Sequence, residues 1–260
     1  MNLLFIGDVV GKAGREAIGR LLPGLMSDFG TDLVIANGEN AAGGFGITPP
    51  VAEELYSLGV HVLTMGNHVW RKREVMEIIS TEPRLLRPAN YPPGTPGRGA
   101  AVYDVPGAGP VGVVNACGRV FMDPMDCPFR AVERELEWLQ DRTRTIIVDF
   151  HAEATSEKQA MGWFLDGRVS AVLGTHTHIQ TADARVLPRG TAYLTDVGMT
   201  GPRDSILGLD PAIIIERFLT SRPVRFKFAD GPAVLGAAFV DVDTGTGRAR
   251  TIRTLQPVIE

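Results

Sequence analysis

Four of the five histidines in this chain stand at the ends of short apolar runs, as do several acids and asparagines. Asp8 comes after NLLFIG, and Asn37-Gly38-Glu39-Asn40 after DLVIA. Gly66-Asn67-His68 follows HVLTM, His151 follows TIIVDF, and Thr175-His176-Thr177-His178 follows VSAVLG. Carboxylate, imidazole and carboxamide oxygen together suit iron, manganese, cobalt or zinc better than magnesium or calcium. A carboxylate shared by two cations, the part open to Glu39, holds them about 3.5–4 Å apart against their repulsion. His176 and His178, two residues apart, would point the same way from an extended segment. A metal pair of this kind makes hydroxide near neutral pH and clamps the oxygens of an in-line displacement at phosphorus. Taken singly, each residue has a plainer use, since Asp and Asn cap turns and a buried histidine is often a satisfied core residue. Their recurrence at five apolar ends singles them out. His61 precedes its run and is expected on the opposite edge, outside the site.

Positioning these groups requires parallel strands, because the carboxyl ends of such strands share one edge and ligands bind there. Apolar runs at 2–7, 32–36, 61–65, 111–116, 145–150 and 169–174 read as buried strands. Helical spacing recurs over 13–29, 71–80, 128–140, 157–165 and 212–219. Thr48-Pro49 marks another helix start. Residues 185–187 with 192–196, and 233–242 with 248–258, read as hairpins. This pattern predicts an α/β fold holding parallel and antiparallel strands in two packed sheets, within one domain spanning 1–260.

Composition narrows the classes. With 260 residues, 44% apolar and 22% charged, the chain is an ordinary globular one, and disorder, collagen and coiled coil are excluded. A net charge of −4 argues against binding long nucleic acid by bulk charge, though not against a small phosphorylated ligand. No stretch is long enough to span a bilayer, and residues 1–10 do not read as a signal peptide. Cys117 and Cys127 lack metal-site neighbours and suit a reducing cytoplasm.

The polar ends resemble the calcineurin-like metallophosphoesterase superfamily: strand–G-D, an acidic bridge, G-N-H, a lone histidine and H-x-H. Two departures, Asp8 without a following histidine and Gly38-Glu39-Asn40 as the bridge, match its bacterial YmdB-like branch. GDVVGKAGR, NGENAAGGFG, TMGNHVW and THTHIQTAD resemble that branch closely. The resemblance implies a four-layer α/β/β/α sandwich of two mixed sheets flanked by helices. It implies one metal on Asp8, Glu39, Asn40 and His178, and a second on Glu39, Asn67, His151 and His176. Iron comes first as the metal, then manganese, with zinc or cobalt as alternatives. His68 would be catalytic, protonating the leaving oxygen or stabilising the transition state. The implied substrates are small nucleotide phosphodiesters, 2′,3′-cyclic nucleotides best known among them. A phosphomonoesterase with the same core, or a metal-dependent nucleotide sensor with little turnover, are the alternatives.

Outside this set, the glycine-rich stretch 41–46 reads as a loop able to close over the site. Arg71, Lys72 and Arg73 read as a solvated helix face, with contact of one of them to a substrate phosphate as the alternative. Gly11-Lys12 has the wrong spacing for a phosphate loop and lacks Ser or Thr after the lysine. The loop 195–201 is expected beside the pocket, and apolar segments near the C-terminus leave room for a homo-oligomer.

Overall fold

The computed structural model describes residues 1–260. In chain order the elements begin with β1 (Asn2–Ile6), β2 (Asp8–Val9), α1 (Gly11–Phe29), β3 (Leu33–Asn37), α2 (Pro49–Ser57), β4 (Val62–Thr64) and β5 (Leu85–Leu86). The middle holds β6 (Ala100–Val105), β7 (Gly109–Cys117), α3 (Pro128–Leu139), β8 (Thr145–His151), α4 (Thr155–Leu165) and β9 (Ala171–Thr175). The last part holds β10 (Arg185–Val186), β11 (Ala192–Leu194), β12 (Met199–Pro202), α5 (Pro211–Thr220), β13 (Ala233–Leu235), β14 (Ala237–Asp243), β15 (Arg248–Leu255) and β16 (Val258–Ile259).

Two six-stranded mixed sheets dominate, ordered β15-β14-β1-β3-β4-β5 and β10-β11-β9-β8-β7-β6. The first is parallel from β1 to β5 and antiparallel only at its β14-β15 margin, whereas the second has a parallel centre and an antiparallel strand at each margin. Strand alternation assigns the layers. Leu3, Phe5, Leu33 and Ile35 pack against Val111, Val113, Ile147 and Leu173 between the sheets. The opposite faces, Leu4, Ile6, Val34 and Ala36, meet Ile18 and Leu22 of α1 and Leu55 of α2. On the far side Val114, Val148, Phe150 and Val172 meet Leu136 of α3 and Met161 and Leu165 of α4. The architecture is therefore the expected α/β/β/α sandwich. Burial of each such large side chain contributes about 1.5–3 kcal/mol.

The same alternation carries polar groups inward where the strands end. Asn37 continues the register of Leu33 and Ile35, Asn115 that of Val111 and Val113, and Thr175 that of Ala171 and Leu173. Asp149 and His151 continue the register of Ile147. All five are buried. The space between the sheets thus changes from apolar to polar at one end, and the site begins there.

Several expected boundaries differ. Besides the two large sheets there is a third, of four strands ordered β16-β13-β12-β2. It forms because strands of the first large sheet bend and continue. Residues 233–242 split at Gly236, where a side-chain carbon would lie 2.6 Å from the Met199 carbonyl oxygen. Residues 248–258 split before Val258, where Gln256-Pro257 interrupts the ladder. The helix expected over 71–80 is only a short 3₁₀ turn, Arg73–Glu77, in which Val75 is buried; Ile79 is buried just beyond it. No helix is long and apolar enough to cross a membrane.

The bend between β1 and β2 sits at Gly7. A side-chain carbon there would lie 1.8 Å from the carbonyl oxygen of Gly198, a backbone group that cannot yield cheaply. Gly24 has nothing within 4 Å. Gly7→Ala should lose roughly 1–3 kcal/mol in urea unfolding by overpacking, whereas Gly24→Ala should gain about 0.5–1 kcal/mol from helix propensity. Equal midpoints for the two variants would contradict this account.

Candidate metal centre

His151, the last residue of β8, is fully buried. Its Nε2 lies 3.2 Å from Glu39 Oε2, 3.2 Å from Asn67 Oδ1 and 3.0 Å from His176 Nδ1. Ligand atoms of Glu39, His151 and His176 all fall within 4.8 Å of one another. On the other side of Glu39, the Asn40 amide lies 3.2 Å from Glu39 Oε1 and 3.2 Å from His178 Nε2. Asp8 is fully buried, and its Oδ2 accepts from the His176 N–H at 3.0 Å. Asp8 Oδ1 is 3.8 Å from His151 Nδ1 and has no hydrogen-bond partner. The seven residues expected as ligands therefore converge, three strand ends coming from one sheet and two from the other. They meet between two sheets, not along the edge of one.

Each imidazole is tethered by its far nitrogen. His151 Nδ1 lies 2.9 Å from Thr175 Oγ1, which itself donates to Asp149 Oδ1 at 2.7 Å, so the hydroxyl accepts from the ring. His178 Nδ1 donates to the Leu207 carbonyl at 3.2 Å. His176 Nε2 pairs with Glu153 Oε2 at 3.1 Å. In every case the nitrogen facing the cluster is the one left to bind a cation.

Electrostatics follow from burial without solvent. Burial opposes the Glu39 charge, but the imidazoles of His151 and His68 outweigh it and hold this carboxyl well below its usual range. Burial pushes the Asp8 carboxyl up, only partly offset by His178 and His151. Burial alone would depress His151, yet Glu39 and Asp8 raise it to about 9. Burial, joined by repulsion from His151, lowers His176 to about 3. Behind the cluster, burial raises Asp149 to about 6, although it accepts hydrogen bonds from Thr175 and Asn37.

The H-x-H segment is not extended, contrary to the sequence expectation. His176 has φ 100° and His178 φ 66°, both left-handed. The rings reach the same cluster by separate routes, one toward His151 and the other toward Asn40. A buried ion pair fixes the turn. Lys158 Nζ bonds the Thr175 carbonyl and the Asp196 carboxylate, which also accepts from the Thr177 and Gly198 N–H groups. Asp149, Lys158 and Asp196 were not among the expected site residues. Asp149 had a readable signal, as an acid two positions before a site histidine on the same strand face. Asp196 lies in the 195–201 loop that the sequence placed beside the pocket; Lys158 had no signal, because an isolated lysine on a helix ordinarily reads as surface.

Gly66 is required by close approach: a side-chain carbon there would lie 2.1 Å from Glu39 Oε2 and 2.3 Å from His151 Nε2. His68 does not share the convergent donors of His151. Its Nδ1 is 2.9 Å from Asn40 Oδ1 and 3.4 Å from Glu39 Oε1. It lines a cleft of about 290 Å³ together with Glu39, Asn40, Glu153, His176 and His178, under a rim that includes Phe45, Leu207, Leu209 and Phe228. Gly44 and Phe45 of the glycine-rich loop border this cleft, whereas the 195–201 loop does not line it. His61 lies elsewhere, its Nδ1 accepting from the Val34 N–H at 2.9 Å.

A sandwich of two mixed sheets with carboxylates and imidazoles at the joined strand ends defines a metallophosphoesterase-like protein. The profile of the YmdB-like protein family matches residues 4–255, and the chain belongs to that family. It is 49% identical over 255 residues to a 2′,3′-cyclic-nucleotide 2′-phosphodiesterase of Bacillus subtilis, covering 98% of this chain and 96% of that one. A hypothetical protein from Thermus thermophilus superposes with a TM-score of 0.92 at 46% identity, covering 99% of both chains. A phosphatase from Mycoplasma pneumoniae superposes with a TM-score of 0.93 at 34% identity, over 99% of this chain and 93% of that one.

A cation binding at His151 Nε2 must displace the proton that the neighbouring carboxylates hold there up to about pH 9. Uptake of Mn²⁺ should therefore release protons, and affinity should rise with pH, by up to roughly tenfold per unit below that value. Calorimetry in buffers of different ionisation enthalpy measures the release; observed heats that are the same in every buffer would contradict it. Gly66→Ala should take up no metal.

Proposed function

We propose that this protein is a dimetal phosphodiesterase for small nucleotide diesters, foremost 2′,3′-cyclic nucleotides, working as a single catalytic domain in the cytoplasm. In this reading Asp8, Glu39, Asn40 and His178 hold one ion, and Glu39, Asn67, His151 and His176 the other. Iron is the first expectation and manganese the second. The observation that carries the reading is the set of three imidazoles, each tethered at its far nitrogen and turning the other toward the cluster that holds two buried carboxylates. The partnerless Asp8 Oδ1 supports it too, since a buried carboxylate oxygen without a donor is costly. When bound, the ions supply a nucleophile from water at neutral pH and draw charge from phosphorus.

The chain's own residues then divide the work. Thr175, Asp149 and Asn37 keep His151 and Glu39 oriented. Glu153 and the Leu207 carbonyl do the same for His176 and His178. His68, anchored through Nδ1, keeps Nε2 for the departing ribose oxygen and gives it a proton as the P–O bond breaks. The residues lining the cleft include no lysine or arginine. The 49% identity to a 2′,3′-cyclic-nucleotide 2′-phosphodiesterase supports the diester over the monoester. The similarity to a phosphatase from Mycoplasma pneumoniae supports the monoester alternative.

Metal content and turnover of 2′,3′-cyclic AMP test the assignment. Glu39→Gln should lose both metal and activity. His68→Ala should keep its metal while kcat falls by roughly 10²–10⁴, the scale of a general acid. Full activity in either variant would remove the role given to that residue. A higher kcat/KM for a ribose 2′- or 3′-monophosphate than for the cyclic diester would favour the monoesterase.

A further inference from the structure

The rim of the cleft contains two aromatic rings that metal chemistry does not require. Phe45, 36% exposed, stands edge-on to the His68 imidazole with centroids 5.3 Å apart. Phe228 stands 6.0 Å from Phe45 at 65° and arrives from a segment far along the chain. Its backbone is pinned. Asp210 N–H bonds the Lys227 carbonyl at 2.9 Å, and Ala229 N–H bonds the Gly208 carbonyl at 3.0 Å. The ring rests on Gly44, whose φ is 90° and where a side-chain carbon would lie 1.7 Å from Phe228 Cζ. Leu207, beside these rings, also gives its carbonyl to His178. The apolar wall is thus held by backbone hydrogen bonds beside Phe228 and joined through Leu207 to His178 of the polar floor.

We propose that Phe45 and Phe228 form a stacking wall for the nucleobase of the substrate, so that the enzyme favours cyclic phosphodiesters that carry a base over those that carry none. This rests on the function proposed above. If His68 protonates a ribose oxygen, a ring next to its imidazole stands about one sugar away, where the base lies. Every nucleobase has a π-face, so the wall accepts purines and pyrimidines alike and stacks them without hydrogen-bond readout. A base stacked on the wall would cover the exposed Phe45 ring beside His68.

Two substrates separate the ideas: 2′,3′-cyclic AMP and 1-O-methylribose 2′,3′-cyclic phosphate, which lacks a base. For the wild type, kcat/KM should favour the nucleotide by about 5- to 150-fold, the range of one stacked base. That preference should fall toward one in Phe228→Ala and in Phe45→Ala, chiefly through KM, and return in Phe228→Trp. Thermal melting of each variant identifies any that misfolds, and the other then decides. A wild-type preference near one, or a preference unchanged in the folded variants, overturns the wall while leaving the phosphodiesterase reading intact. A metal-loaded wild type that hydrolyses neither ester overturns both.

Discussion

Asp8 and Glu39 are buried carboxylates without a lysine or arginine partner, and the site is organised around that imbalance. Charge taken out of water is expensive unless it is paired. Asp196 illustrates the ordinary solution, with Lys158 bound to it in the interior. At Asp8 and Glu39 the neighbours are imidazoles instead, and the proton held by His151 supplies the local positive charge. Such an arrangement suits exchange of a proton for a cation.

The sandwich delivers these groups through strand parity and close backbone approach. Two residues of register separate an apolar side chain between the sheets from a polar one at their end. Gly7, Gly66 and Gly174 stand just before site residues, and at each a side-chain carbon would come within 2.1 Å of a carbonyl oxygen or of Glu39. These approaches let buried strands converge where larger residues would hold them apart. His176 and His178 then adopt left-handed backbone, a conformation costing of order 1–3 kcal/mol per non-glycine residue. The Lys158–Asp196 pair offsets part of that cost by bonding the backbone on both sides of His176.

Much of the site was legible because its signal is local. An apolar run sets a strand, and the next residues are its end, so Asp8, Glu39, Asn67, His68, His151 and His176 could be read in order. The exclusion of His61 followed from the same rule. Asp149 could have been found by extending the parity two residues back from His151. The third sheet was hidden because its strands continue those already read, and a bend at Gly236 changes partners without changing the apolar pattern. The 71–80 segment carried helical spacing, but only Val75 is fully buried within its 3₁₀ turn.

By itself the sequence determined which groups stand at strand ends, and hence the chemistry available, because strand periodicity and residue type are properties of short segments. Only the tertiary structure decided that two sheets, and not one, bring them together. It alone gave the H-x-H rings separate routes through left-handed backbone, and set Phe228 on Gly44 across 184 positions of chain. Those outcomes depend on contacts between distant segments, and no local pattern of residues encodes where a remote backbone will pass.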